Sequence, residues 1–434
     1  MSSTVPKLYS RRSLVAVLAA LSTVGMTAAV TVAANPVAGA ATTIGVYNDK
    51  ANWTTDWNEM GAIAAKDIGV GFKAVPFADT STYQATMMAS LPSTKAPALF
   101  TWWSGAQLTP LAKAGLLTPL NGLWNRYKED YTAGLRKAFT YHGNVYAAPL
   151  YSAYWDVFYN KHVFARFHLH PPTTWAQFLH MCALLKAHGI TPMAQTVAGV
   201  WPGFIWFEEL MLRSYPAQYD RLMAGKISYT SPNVIRVMKL WRSLEKDGYF
   251  SNPGLSMGTA GSNNILPLFA HGQIAMFLIG DWYQTTMVSA GLKPGVDYGA
   301  FLLPDPNPKA GRVAILESGP LAIGAHAPAP QKAAAEKILA WWMQPRTQSL
   351  WAKLTGFNTT TAAARVVNPV DAYINHLISS EHYRLYTRFW EATPPPIAQT
   401  ASEQFDRFEL HPDQYMSVLS TIQSYASHYW ATHK

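Results

Sequence analysis

Residues 146–172 read Tyr-Ala-Ala-Pro-Leu-Tyr-Ser-Ala-Tyr-Trp-Asp-Val-Phe-Tyr-Asn-Lys-His-Val-Phe-Ala-Arg-Phe-His-Leu-His-Pro-Pro. Within them Tyr151, Tyr154, Trp155, Val157, Phe158 and Tyr159 form a dense aromatic and β-branched run. That composition suits a buried strand. Pro149 favours an extended approach to it, and Asn160-Lys161 is a polar exit. Such a run serves either as an ordinary core strand or as a strand passing beneath a binding cleft, and composition alone leaves both open.

Upstream, Thr43-Ile44-Gly45-Val46-Tyr47 is a short apolar strand that ends in the polar turn Asn48-Asp49-Lys50. A helical stretch ending near Gly69, a strand at Phe72–Phe77, a helix over Tyr83–Leu91 and a strand at Ala98–Phe100 follow. This alternation predicts an α/β layer. Ligands of open α/β sheets lie beyond the carboxyl ends of strands, which places Trp102 and Trp103 at a cleft edge. Downstream, Thr174 and Gln177 have capping-box spacing. Trp175, Phe178, Leu179, Cys182 and Leu185 then share one helix face and read as core. Lys332–Met343 is a further amphipathic helix, and Pro394-Pro395-Pro396 breaks the remaining helices.

The chain has 434 residues, enough for two or three domains, with 49% hydrophobic and 14% charged residues. Its 16 Trp, 22 Tyr and 18 Phe suit a ligand read by stacking and equally a large core. Residues 1–40 read as a signal peptide: Lys7, Arg11 and Arg12 precede an apolar run over Leu14–Ala34, and Ala38-Gly39-Ala40 is a small-residue cleavage pattern. Ser10-Arg11-Arg12-Ser13-Leu14 also resembles a twin-arginine signal. Three of the 34 basic residues and none of the 25 acidic ones lie there, so the remaining chain carries +6. That charge is spread without a basic block, as on a solvated surface rather than a nucleic-acid face. Cys182 is the only cysteine, which excludes an internal disulfide. No cysteine stands near the cleavage pattern to carry a lipid.

Ala148-Pro149, Phe158-Tyr159-Asn160-Lys161, Phe164 and Pro171-Pro172-Thr173-Thr174-Trp175 resemble the central signature of bacterial extracellular solute-binding proteins of family 1, which include the maltose-binding protein. Trp102-Trp103 before Ala114-Gly115-Leu116-Leu117-Thr118-Pro119-Leu120 resembles a second signature. Leu266–Tyr283, with Gly280-Asp281-Trp282, resembles a third and more diagnostic one. Ala314–Ile323, containing Glu317, is similar to the return crossover, and Gln348–Phe357 to a later region. There Asn358-Thr359 stands where proline is common. Ala398–Phe405 is similar to the late loop that adds aromatic contacts.

The resemblance implies an α/β, two-lobed periplasmic-binding-protein-like fold of type II, with the ligand cleft between lobes joined by three crossovers. The expected lobes are residues 41–152 with 318–355 and residues 153–317 with 356–434. The implied function is capture of a sugar or oligosaccharide outside the membrane and its delivery to the transmembrane subunits of an ABC permease. A monomer without cofactor, metal or enzymatic activity is expected, exported and not a lipoprotein. Sugars present flat C–H patches that indole covers and hydroxyls that polar side chains bond. The resemblance therefore implies Trp103, Trp155 and Trp282 as stacking residues, with Asp49, Gln107, Asp281 and Glu317 as polar partners. Gly280 is expected to turn the backbone sharply so that Trp282 faces the cleft.

A secreted glycoside hydrolase would share an aromatic cleft but needs two carboxylates about 5–9.5 Å apart, for which Asp281 with Glu317 is the one pair to nominate. Glu208 and Glu209 are adjacent and point to different helix faces. His168-x-His170, with His162 and His180, has no cysteine or acid at ligand spacing and reads as solvated loop histidines rather than a metal site.

Overall fold

The structure is a computed structural model that describes residues 42–257, 264–361, 364 and 366–433. The expected signal peptide lies outside the described residues. Strands β1 (Thr42–Asn48), β2 (Val70–Pro76), β3 (Leu99–Thr101), β6 (Ala147–Asn160), β7 (Thr191–Ala194), β8 (Ile274–Gly280), β9 (Tyr298–Phe301), β10 (Val313–Ala322) and β11 (Arg384–Thr387) form one mixed sheet. A small hairpin, β4 (Thr140–Tyr141) with β5 (Asn144–Val145), stands apart. The sheet order is β2-β1-β3-β10-β6-β8-β7, with β11 beside β10 and β9 beside β6.

Two long strands run through both halves of this sheet. β6 and β10 pair antiparallel where Ser152 faces Ser318 and Ala153 faces Glu317. Beyond that pairing, β10 reaches β3 through Leu321 and Ala322 and β11 through Val313–Leu316. β6 continues into β8 and β9 through Trp155–Asn160. One half is the parallel β2-β1-β3 unit covered by helices Thr54–Ile68 and Ala329–Trp342. The other is built on β8, β7 and β9. Helix Pro345–Thr355, ended by Gly356 at φ +76°, packs on Thr54–Ile68 in the first half, and the following helix Pro369–Ser380 packs on β9 in the other.

Several sequence expectations change in detail. Pro149 lies inside β6 rather than before it, facing Pro320 where the register shifts between Gly319 and Pro320. A proline lacks the ladder N–H and is tolerated at such an irregularity. Asn358 donates to Asp281 Oδ2 at 2.7 Å. Proline at that position has no side-chain donor to do so, a physical reason for the departure from the common pattern. Thr174 and Gln177 form the expected capping box. Cys182 is buried, and burial pushes its thiol well above its ordinary range. Ala398–Phe405 is no loop: it lies in helix Pro395–Leu410, where Phe405 stacks on Phe207 at 4.3 Å in the core.

Candidate functional site

A cavity of about 370 Å³ opens between the two halves. Strand ends and turns position its lining. Asp49 and Lys50 follow β1, Trp103 follows β3, and Trp282 sits in the turn after β8. Arg388 and Trp390 come just after β11, and Glu317 projects from β10. Trp201 and Phe204 enter from the turn Trp201–Phe204. Val200, on the same rim, has φ +65°, an uncommon conformation for a β-branched residue.

Seven aromatic residues thus line one space: Trp53, Trp103, Trp201, Phe204, Trp282, Tyr283 and Trp390. Trp201 and Trp282 lie 6.0 Å apart, and Trp390 stacks on Phe204 at 6.0 Å. The orientation of Trp282 is fixed by chemistry, since its Nε1 donates to Glu317 Oε2 at 3.0 Å. Gly280 leaves room for the ring. A Cβ there would fall 2.3 Å from Trp282 Nε1. Its backbone, at φ −62° and ψ 142°, is one that any residue adopts, so space rather than a sharp turn is the reason for glycine.

Glu317 is the hub of the floor. It accepts from Tyr151 Oη at 2.6 Å, and Arg388 Nη1 lies 3.0 Å from its Oε2. Arg388 also binds Glu391 through two nitrogens, at 2.7 and 2.5 Å, and its guanidinium covers the rings of Trp155 and Phe204. Burial works against the charge on Arg388, but Glu317 and Glu391 outweigh it and hold it firmly cationic. Burial and the adjacent Glu317 charge push the Tyr151 hydroxyl well above its ordinary range, so it stays a donor. At the opposite wall, Asp49 takes Lys50 Nζ at 2.7 Å on one oxygen and Thr80 Oγ1 at 2.9 Å on the other. Lys50 Nζ then lies 5.7 Å above the Trp103 ring.

Of the residues expected from sequence, Asp49, Trp103, Trp282 and Glu317 line the cavity. Trp155, Gln107 and Asp281 are not among its lining residues. Trp155 is wholly buried one layer beneath the cavity, where the Arg388 guanidinium covers its ring and the lining residues Trp201 and Phe204 pack on it. Gln107 Nε2 donates to the Trp390 carbonyl at 2.9 Å. Asp281 Oδ2 accepts from the Tyr154 N–H at 3.1 Å and from Asn358. Burial pushes that carboxyl up to about 7, against those two donors. Glu208 and Glu209 are buried, on the Phe389 N–H and on Arg213. His162 pairs with Asp297 at the surface, and no metal-holding group occurs among the described residues.

Sequence reasoning missed Lys50, Asn52, Thr286, Arg388 and Trp390. The signal available for the last two was Arg388-Phe389-Trp390-Glu391, an aromatic pair flanked by opposite charges directly after a strand.

A cavity lined by strand ends, between two sheet halves that share their long strands, defines a two-lobed α/β binding protein of type II. The solute receptor AcbH, whose structure is described as showing an exclusive preference for β-D-galactopyranose, superposes with TM-score 0.78 at 20% identity, over 89% of this chain and 99% of that one. A chitin oligosaccharide binding protein superposes with TM-score 0.77 at 20% identity, over 90% and 99%. The chain belongs to the bacterial extracellular solute-binding protein family, whose model matches residues 59–375. It is 27% identical over 226 residues to the uncharacterized ABC transporter extracellular-binding protein PH1214 of Pyrococcus horikoshii, covering 51% of this chain and 49% of that one. The chain spans about half the length of the curated relatives it matches first.

Proposed function

We propose that this chain is the extracellular receptor of an ABC importer and captures an uncharged sugar or oligosaccharide between its lobes. The observation that carries the reading is the ring of Trp103, Trp282 and Trp390 around one cavity, from three distant segments. Indole faces cover the C–H faces of a sugar, while Asp49, Lys50, Asn52, Glu317 and Arg388 offer donors and acceptors to its hydroxyls. Among the described lining residues the two cations, Lys50 and Arg388, are already paired with Asp49 and Glu317. That pairing favours a neutral ligand over a phosphate or carboxylate.

The lobes in this reading are residues 41–152 with 318–355 and 153–317 with 356–434, hinged where β6 and β10 cross and near Gly356. Closure is a population shift driven by ligand contacts to both lobes. Capture without chemistry fits because Asp281, the partner needed for hydrolysis by Glu317, is buried outside the lining. The loaded monomer would deliver its sugar to the permease transmembrane subunits. Export with loss of residues 1–40 and no lipid anchor completes the proposal; no helix among the described residues is long and apolar enough to cross a membrane.

A thermal-shift screen against a panel of mono- and oligosaccharides tests it. Unfolding entropy of about 2.1 cal/mol/K per residue gives about 0.8 kcal/mol/K for roughly 390 residues. A sugar at a hundred times its Kd stabilises by about 2.7 kcal/mol, so the melting temperature should rise by about 3 °C. Stabilisation by amino acids or phosphates, with none by any sugar, would overturn the reading.

A further inference from the structure

Gly105–Gln107 is a short turn after β3, in the sheet half built on β1–β3; Trp390 and Glu391 follow β11, in the other half. The two segments meet tightly. Gln107, 2% exposed, donates through Nε2 to the Trp390 carbonyl at 2.9 Å. Trp102 Nε1 donates to the Gln107 carbonyl at 2.9 Å and fixes the turn. Gly105 has φ +59°, and a Cβ on it would fall 2.4 Å from the Glu391 carbonyl oxygen. Only glycine allows the backbones to approach so closely. Glu391 is held in turn by Arg388, and Arg388 by Glu317. The same approach brings Trp103 edge-on to Trp390, at 6.4 Å. Elsewhere on the cavity lining, Asn52 Nδ2 bonds Thr286 Oγ1 at 3.0 Å, again between the halves.

We infer that Gly105 and Gln107 form a latch on the Trp390–Glu391 backbone, which holds the lobes closed and sets the lifetime of the closed form. The inference rests on the hinged reading above. Gln107 is then a positioning residue: it draws Trp390 against Trp103 and does not bond the ligand. A single neutral hydrogen bond suits this task. It is weak enough to leave the open form accessible, so that ligand contacts decide the equilibrium.

The test needs no ligand. Cysteines at Asn52 and Thr286 in the full exported chain would cross-link under oxidised glutathione whenever the lobes close; native Cys182 is buried and serves as the unreactive control. The oxidised pair should have a smaller radius of gyration by scattering than the reduced pair. Adding Gln107→Ala or Gln107→Glu should slow cross-linking about three- to tenfold, the worth of one buried hydrogen bond. Gln107→Glu keeps the side-chain shape but sets an acceptor against the Trp390 carbonyl, so slowing there reports the broken contact rather than a cavity. Gly105→Ala should slow it further by its clash with Glu391. Unchanged rates in all three variants would overturn the latch, while the radius difference left the hinge standing. Equal radii in the oxidised and reduced pair would overturn the hinge, and the latch with it. A parent pair that never cross-links would overturn the latch alone, provided a bound sugar still contracts the protein.

Discussion

Glu317→Gln is the most informative single change, because Glu317 of β10 bonds Tyr151 of β6, pairs with the cation of the floor and orients Trp282. The glutamate accepts from Tyr151 and Trp282 and pairs with Arg388, all at 3.0 Å or less. A glutamine can keep its oxygen on Trp282 and Arg388 only by turning its amide N–H toward the Tyr151 hydroxyl, which must then accept instead of donate. In either orientation the negative charge opposite Arg388 is lost. Removing one partner of a buried ion pair costs about 3–5 kcal/mol. Arg388 retains both contacts to Glu391, so the low end applies, about 3 kcal/mol. At about 0.8 kcal/mol/K, the melting temperature without ligand should fall by about 4 °C. Arg388→Met should cost more, since it leaves two buried carboxylates, Glu317 and Glu391, without their cation. Scanning calorimetry on both variants checks the size and the order. A Glu317→Gln melt within 1 °C of the parent, or Arg388→Met the milder of the two, would refute the network as drawn.

Trp155→Ala should behave as a core truncation, costing about 3–5 kcal/mol and lowering the melting temperature by about 4–6 °C. Gly280→Ala should weaken sugar binding without touching the sugar, by pushing the Trp282 indole off Glu317; unchanged affinity in titration calorimetry would count against that steric account. The pH dependence comes from buried carboxyls. Burial pushes Asp281 up to about 7 and Glu245 and Asp406 up to about 8, above the value near 4 of an unfolded chain. The folded state thus keeps protons that the unfolded state has released. The resulting stability is fully present below about pH 4 and is lost as pH rises through about 7 to 8. Melting temperature at fixed ionic strength should therefore fall from pH 5 to pH 8, and Asp281→Asn should remove part of that slope; a rising profile would contradict the burial argument.

The fold was legible because its decisive signals are local. Alternating strands and helices, the aromatic run of β6 and the Gly280-Asp281-Trp282 turn each stand in a few consecutive residues. Asp49, Trp103, Trp282 and Glu317 were legible for the same reason, each at a strand end or within a crossover. Side-chain facing was not. Trp155 faces the lining residues Trp201 and Phe204, but Arg388, from a segment far along the chain, lies over its ring and closes it off from the cleft. Gln107 and Trp390 are 283 residues apart, and no local pattern announces that their segments touch. Asp281 looked like a ligand partner because it precedes Trp282. Its carboxyl instead joins Tyr154 of β6 to Asn358, just after helix Pro345–Thr355, a pairing made by the tertiary fold.

Titration calorimetry on Trp282→Ala, with the sugar identified by the thermal screen, tests the central claim most directly. Trp282 is half-buried, lines the cavity and packs against Trp201 and Tyr283. Losing such an aromatic anchor should weaken binding by about 2–4 kcal/mol, roughly 30- to 1000-fold, and return the sugar chemically unchanged. Melting without ligand should shift by less than for Trp155→Ala. Parent-like affinity in Trp282→Ala, or an affinity loss matched by a melting loss as large as that of Trp155→Ala, would contradict the account.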